Sequence, residues 1–210
     1  SFIHSLGGTM TPIFKRILQS TWQDMPAVLK RRYANRAHSE DRVVVDGILN
    51  VHTSKWMRFW SPLLRLCGAL LPYSGRDIPV QVCFQSFPDS DHVGFHRTFQ
   101  FPEHGQVKFY STLMPVQGDE VLEMMRFGMA WRMRYVYEDN KAKLLHKGYI
   151  LKLGKWKIPM PVYLILGKAY AYETATSDNG FDMYFEIIHP WFGKIFGYDG
   201  SFTLTQGVDE

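Results

Sequence analysis

Two charged side chains stand in rows that are otherwise apolar. Side chains of a strand alternate between its two faces. In HVGFHRTFQF (92–101) this puts Val93, Phe95, Phe99 and Phe101 on one face, and Arg97 falls in the middle of that row. In 121–127, Glu123 falls in the same way among Val121, Met125 and Phe127. A lone charge inside an apolar interior costs several kcal/mol. The two residues therefore neutralise each other across the interior, or they meet a ligand there. In the second case the planar Arg97 fork receives a carboxylate or phosphate. Phe95, Phe99, Trp131 and Tyr135 then supply an apolar wall around it.

His189 shares a face with Phe181, Met183, Phe185 and Ile187. It reads first as a hydrogen-bonded core histidine, with a ligand contact or an acid/base role as the sharper alternatives. His92, His96 and His104 do not form a metal site, because residues four apart in a strand lie about 13 Å apart. No nucleophile elbow, phosphate loop, dinucleotide fingerprint or zinc-spaced Cys/His set occurs, so neither metal nor cofactor is expected. An enzyme using Glu123 or His189 as acid/base remains the alternative to a binding role. The aromatic rows with Trp131, Tyr135, Tyr137, Tyr170 and Tyr172 lack the dense basic alternation of a single-strand groove. They read as core or cavity wall, and a nucleic-acid partner is not expected.

The elements that must hold these residues follow from periodicity. The core of the pattern is 92–113, two strands around a turn at Pro102, Glu103, His104 and Gly105. Before it, Thr11-Pro12 and Asp24 to Pro26 are helix-start signals, predicting helices to about Trp22 and about Asn35. The second carries Lys30, Arg31, Arg32 and Arg36, which read as a solvated face or, alternatively, an anion or acidic-lipid contact. A strand at 41–51 contains Gly47, read as a bulge or bend. At 56–71, Trp56, Phe59, Trp60, Leu63, Leu64, Cys67 and Leu70 recur at helical spacing. That helix packs on the sheet, caps a cavity, or lies in a membrane interface.

After Pro72 alternation takes over. Strands are expected around 80–85, 92–101, 105–113, 121–127, 129–137 and 145–153. The segment 157–166 (KIPMPVYLIL) holds Pro159 and Pro161 and reads as a crossing loop or short helix. Strands at 169–175 and 181–189 flank a hairpin turn at 177–180. The chain ends with 192–198, a turn at Asp199-Gly200, and 202–204. So many consecutive antiparallel strands must curl or split into layers. The expected fold is α+β, mostly antiparallel β. It is a curved meander sheet or closed barrel of about 8–10 strands, with N-terminal helices and one helix inserted after the first strand.

Composition fits a single domain over 1–210, since 46% hydrophobic content in 210 residues supports one sizeable core. A net charge of +4 suits an anionic partner without requiring one. Cys67 and Cys83 fall in different elements and read as reduced, buried thiols. The most apolar stretch, 56–71, is broken by Arg58, Pro62 and Arg65. It falls short of the ~18–20 apolar residues of a membrane span, so a soluble, cytoplasmic chain is expected.

Four stretches carry a resemblance: HPWFGKIFGYDGSF near the C-terminus, HRTFQF, EMMRFG and IPMPVYL. In their order and spacing the chain resembles a bacterial family catalogued as domain of unknown function 4166. The family's R-x-F pair corresponds to Arg97 and Phe99, and its acidic residue before F-G to Glu123 with Phe127 and Gly128. Its P-x-x-G and Y-x-G correspond to Pro190, Gly193, Tyr198 and Gly200. Where the family often has Trp before R-x-F, this chain has Phe95 and His96. The resemblance implies no known activity, and the family's fusions to redox or dehydrogenase-like modules imply an accessory domain. The function expected from all of this is a non-enzymatic module holding a small apolar or acidic amphiphilic ligand. Peripheral contact with an anionic membrane or a partner protein is the alternative.

Overall fold

Strand alternation dominates the computed structural model, which describes residues 11–66 and 73–208. Two short helices, α1 (Ile13–Leu18) and α2 (Ala27–Arg32), precede β1 (Arg42–Thr53) and α3 (Lys55–Leu66). Then follow β2 (Gly75–Ser86), β3 (Val93–Phe101), β4 (Gly105–Pro115), β5 (Glu120–Met124), β6 (Met129–Glu138), β7 (Lys141–Leu153) and β8 (Trp156–Met160). The chain ends with α4 (Tyr163–Leu166), β9 (Lys168–Ala175), β10 (Gly180–His189) and β11 (Gly193–Gln206). Neighbours pair antiparallel from β1 through β7, β7 pairs with β9, and β11 returns to β1. Ten strands thus close into a barrel. Strand β8 stands outside it as an edge, paired with β7 alone.

The alternation runs apolar inward and polar outward. Val80, Val82, Phe84, Phe99 and Met133 are buried, while Gln81, Gln100, Arg132 and Arg134 are exposed. This is the reverse of the pattern in membrane-spanning barrels. Helices α1 and α2 close the end where β9 turns into β10. There Arg31 donates to the Asp178 carbonyl and, at 2.7 Å, to Asn179 Oδ1. Phe14 of α1 meets Tyr33 and Tyr135 at ring distances of 4.9 and 5.1 Å. Buried Asn35 ties this plug to β2, donating to the Phe84 carbonyl and to Ser86 Oγ. The opposite end carries α3 and α4.

Several local expectations are corrected. The first helix stops at Leu18 and gives way to a 3-10 turn (Gln19–Asp24), with Pro12 rather than Thr11 at its cap. The second ends at Arg32, before Asn35. The proline segment is not all loop or helix. It forms β8, where prolines are tolerated because an edge strand leaves donors unused, followed by α4. Strand β5 ends at Met124. Phe127 has φ 57° and is 68% exposed, so it leaves the inward row that Glu123 shares.

The Asp199-Gly200 turn does not exist, because β11 runs unbroken through it. A Cβ on Gly200 would lie 1.9 Å from the Ile48 carbonyl oxygen, so the glycine allows β1 and β11 to approach closely. Gly47 is likewise no bulge. Its missing side chain leaves room for the Phe202 ring, which a Cβ would meet at 2.5 Å. Cys83 is half-buried on an outward position rather than fully buried, and Cys67 and Leu70 lie outside the described residues.

Candidate functional site

Arg97 points into the barrel. One of its terminal nitrogens donates to Ser111 Oγ and to Glu123 Oε1, both at 2.6 Å, and Ser111 Oγ donates to the same carboxylate oxygen at 2.7 Å. The register explains the meeting. Arg97 faces Phe109 across β3–β4, Ser111 lies two residues further along β4, and Leu113 of β4 pairs with Glu123 of β5. The guanidinium is also held between two rings, 3.8 Å from the Phe95 centroid and 4.0 Å from that of Phe109. Desolvated contacts of this kind are worth about 2 kcal/mol each.

A second pair lies in the same interior. Arg32, at the end of α2, meets Glu173 of β9 at 3.1 Å. Its guanidinium lies 3.6 Å from the Phe84 centroid, and Phe84 stacks on Phe95 at 4.7 Å with planes 20° apart. Arg32, Phe84, Phe95, Arg97 and Phe109 thus form one continuous stack linking the two ion pairs. Arg32 overturns the reading of the basic cluster on α2 as a solvated face, since it is 6% exposed. Its neighbours have other tasks, Lys30 bonding the Gln23 carbonyl and Arg36 the Asp41 carboxylate.

Beside the stack is a cavity of about 100 Å³. Both pairs border it, with Trp131, Tyr135 and Tyr198 on its wall. Two buried polar atoms of residues lining it, Arg32 Nε and Arg97 Nε, have no hydrogen-bond partner among the described residues, and the Tyr33 hydroxyl and Glu173 Oε2 have only each other nearby. Buried polar atoms without partners are rare, and each costs about 1–3 kcal/mol. Burial, and then the nearby Glu173 carboxylate, pushes the Tyr33 phenol well above its usual pKa. Tyr198 is raised by burial, with Arg97 opposing. Both phenols stay protonated and can donate.

The remaining sequence candidates divide. Phe95, Phe99, Trp131 and Tyr135 line the cavity together with Arg97 and Glu123. His189 is not on that wall. It is 1% exposed beneath α4, its Nε2 2.8 Å from the Leu164 carbonyl oxygen and its Nδ1 accepting from the Trp191 amide. A carbonyl only accepts, so the proton sits on Nε2 and both nitrogens are engaged. Tyr137 is buried, whereas Tyr170 and Tyr172 lie on outward positions of β9 instead of the core. Ser111 and Glu173 are not singled out by sequence, and Arg32 is named only within the basic cluster of α2. Glu173 breaks the row Ala169, Ala171, Ala175 as Arg97 breaks its own, and that signal could have found it.

His146 orients the Trp131 wall, its Nδ1 accepting from the indole N–H at 2.9 Å. Burial, and then the Lys168 charge, lowers its pKa to about 4. Unfolded, the same group titrates near ~6.5. The unfolded chain therefore binds the extra proton first as the pH falls, so this contribution is full above about 6.5 and is lost toward about 4. His146→Gln keeps an acceptor for the indole without titrating. Its urea midpoint is expected to fall less than that of the wild type between those two pH values.

The described residues thus form a closed, ten-stranded antiparallel barrel with two buried ion pairs beside an internal cavity. The chain belongs to the family described as Domain of unknown function (DUF4166), whose model matches residues 25–202. That span includes both ion pairs and nine of the ten barrel strands in full, and it ends within β11. Among curated proteins, no relative matches the chain.

Proposed function

We propose that the barrel is a non-enzymatic binding module whose interior takes one compact, largely apolar molecule with a hydrogen-bonding head. The carrying observation is the cavity itself, apolar over most of its wall yet bordered by two arginine Nε–H groups without partners and by the Tyr33 hydroxyl and Glu173 carboxylate. Its volume is several times the ~10–15 Å³ a water needs and approaches the ~150 Å³ that holds benzene in an engineered core. A ring-sized ligand fits that scale, and a longer amphiphile requires side chains such as Met125 or Met183 to move. Each arginine already has a carboxylate partner. A neutral hydroxyl, able to accept from an arginine Nε and donate to Glu173 Oε2, matches the site better than an acid does. The acid/base alternative has less behind it, since Glu123 Oε1 is shared by Arg97 and Ser111 and both His189 nitrogens are bonded.

Calorimetric titration with phenol, benzene and benzoate tests the reading. Phenol is expected to bind with a Kd of about 1 mM, worth about 4 kcal/mol, ahead of benzene and benzoate. No saturable binding of any of the three would sink it.

A further inference from the structure

The end of the barrel that carries α3 and α4 shows a surface that neither the ion pairs nor the cavity explains. Helix α3 is apolar on two faces. Met57 is buried, with Trp56 and Trp60 half-buried against the core, whereas Phe59, Leu63 and Leu66 recur at spacings of four and three on the exposed side. Phe59 is 73% exposed. The turn between β10 and β11 adds Trp191, 72% exposed, and Phe192, whose ring lies 4.5 Å from Trp56. The Trp56 indole donates to the Ile165 carbonyl of α4, beside exposed Tyr163 and Leu164. The β7–β8 hairpin completes the arc with Leu153, Ile158 and Trp156, the last 77% exposed. Across from it, Gly128 sits against the Lys152 carbonyl, next to exposed Phe127.

The charges interleaved with these side chains are of one sign. Lys55 and Arg58 lie on α3, Lys155 and Lys157 flank Trp156, and Arg126 stands beside Phe127, while Lys194 turns away onto Tyr184 of β10. No Asp or Glu occurs anywhere in 47–76, 124–137, 140–172 or 187–198. Asp77 and Glu103 belong to this end of the barrel but lie outside the arc, on β2 and the β3–β4 turn. Solvent-exposed Trp and Phe at turn tips, set among lysines without acids, are suited to the interface of an anionic bilayer. Single large apolar residues on a surface need no explanation, but a contiguous group with a common charge does. No helix among the described residues is long and apolar enough to cross a membrane, so contact would be by this end alone.

We infer that this end docks peripherally on anionic lipid bilayers, the aromatic tips entering the headgroup layer and the lysines and arginines meeting the lipid charge. The inference is independent of the ligand proposal, because no residue it needs is one of the paired charges.

Flotation of the full chain with vesicles tests it. Vesicles of phosphatidylcholine and phosphatidylglycerol in equal parts are expected to carry the protein upward at low salt, and vesicles of phosphatidylcholine alone to leave it behind. Lys155→Gln with Lys157→Gln is expected to weaken partition about twenty-five-fold, roughly fivefold for each lysine. Trp156→Ser with Trp191→Ser should abolish flotation while changing the unfolding midpoint little, since both side chains are mostly exposed and Trp191 packs only on His189. Absence of flotation with the mixed anionic vesicles overturns the inference, as does equal flotation with phosphatidylcholine alone. So does flotation that all variants share, or a self-associated state that the tryptophan variant disperses without any vesicle binding.

Discussion

Glu123→Gln is expected to lower the free energy of unfolding by about 3–5 kcal/mol, the usual cost of leaving one member of a buried ion pair uncompensated. The substitution keeps the shape and an acceptor for Arg97 and Ser111 but removes the charge that balances a guanidinium held between Phe95 and Phe109. A lower urea midpoint with an unchanged slope would show that stability, and not compactness of the unfolded chain, has changed. Arg97→Met combined with Glu123→Leu removes both charges at similar volume. It should recover most of the loss, because an apolar replacement of a whole buried pair is often neutral. If the double variant is as unstable as Glu123→Gln, the contribution lies in the cation–aromatic stack and not in the charge balance.

Glu173→Gln is expected to cost about 3 kcal/mol for the same reason, with Arg32 as the stranded partner. The two losses should not add. Sites without shared partners are additive within about 0.3–0.5 kcal/mol, but Arg32 and Arg97 rest on opposite ends of the stacked Phe84 and Phe95 rings. A shift of one guanidinium moves the ring that supports the other. Combining Glu123→Gln with Glu173→Gln is therefore expected to deviate from the sum by more than about 0.5 kcal/mol in a double-mutant cycle.

How far the sequence reveals this site depends on how each residue breaks a pattern. Arg97 and Glu123 stand alone in strands of large apolar residues, so strand alternation suffices to turn them inward, while the need for compensation leaves open whether they meet each other or a ligand. Glu173 breaks a row of alanines, which is a weaker signal because alanine marks neither strand nor core strongly. Arg32 could not be separated from Lys30, Arg31 and Arg36, because the face a helix of six residues buries depends on how it docks. Gly200 was misread because a glycine after an aspartate suggests a turn, while the need it serves, close approach of Ile48, is visible only once β1 and β11 are paired. Closure of the barrel was expected from strand number. The pairing of β6 with β7 and of β7 with β9, which achieves it, was not readable from the local pattern.

In the function proposed above, the interior beside the paired arginines receives a ligand. The most direct measurement is the Nε–H resonances of Arg32 and Arg97, followed by NMR as phenol is added to the wild-type chain. Both resonances are expected to shift saturably with one common affinity, and the Arg32 resonance, the one of the two that remains, should stay fixed in the Arg97→Met, Glu123→Leu, Glu173→Gln variant under the same conditions. Resonances that stay fixed in the wild type while only surface groups respond would show the two ion pairs to be structural and the cavity to be no binding site.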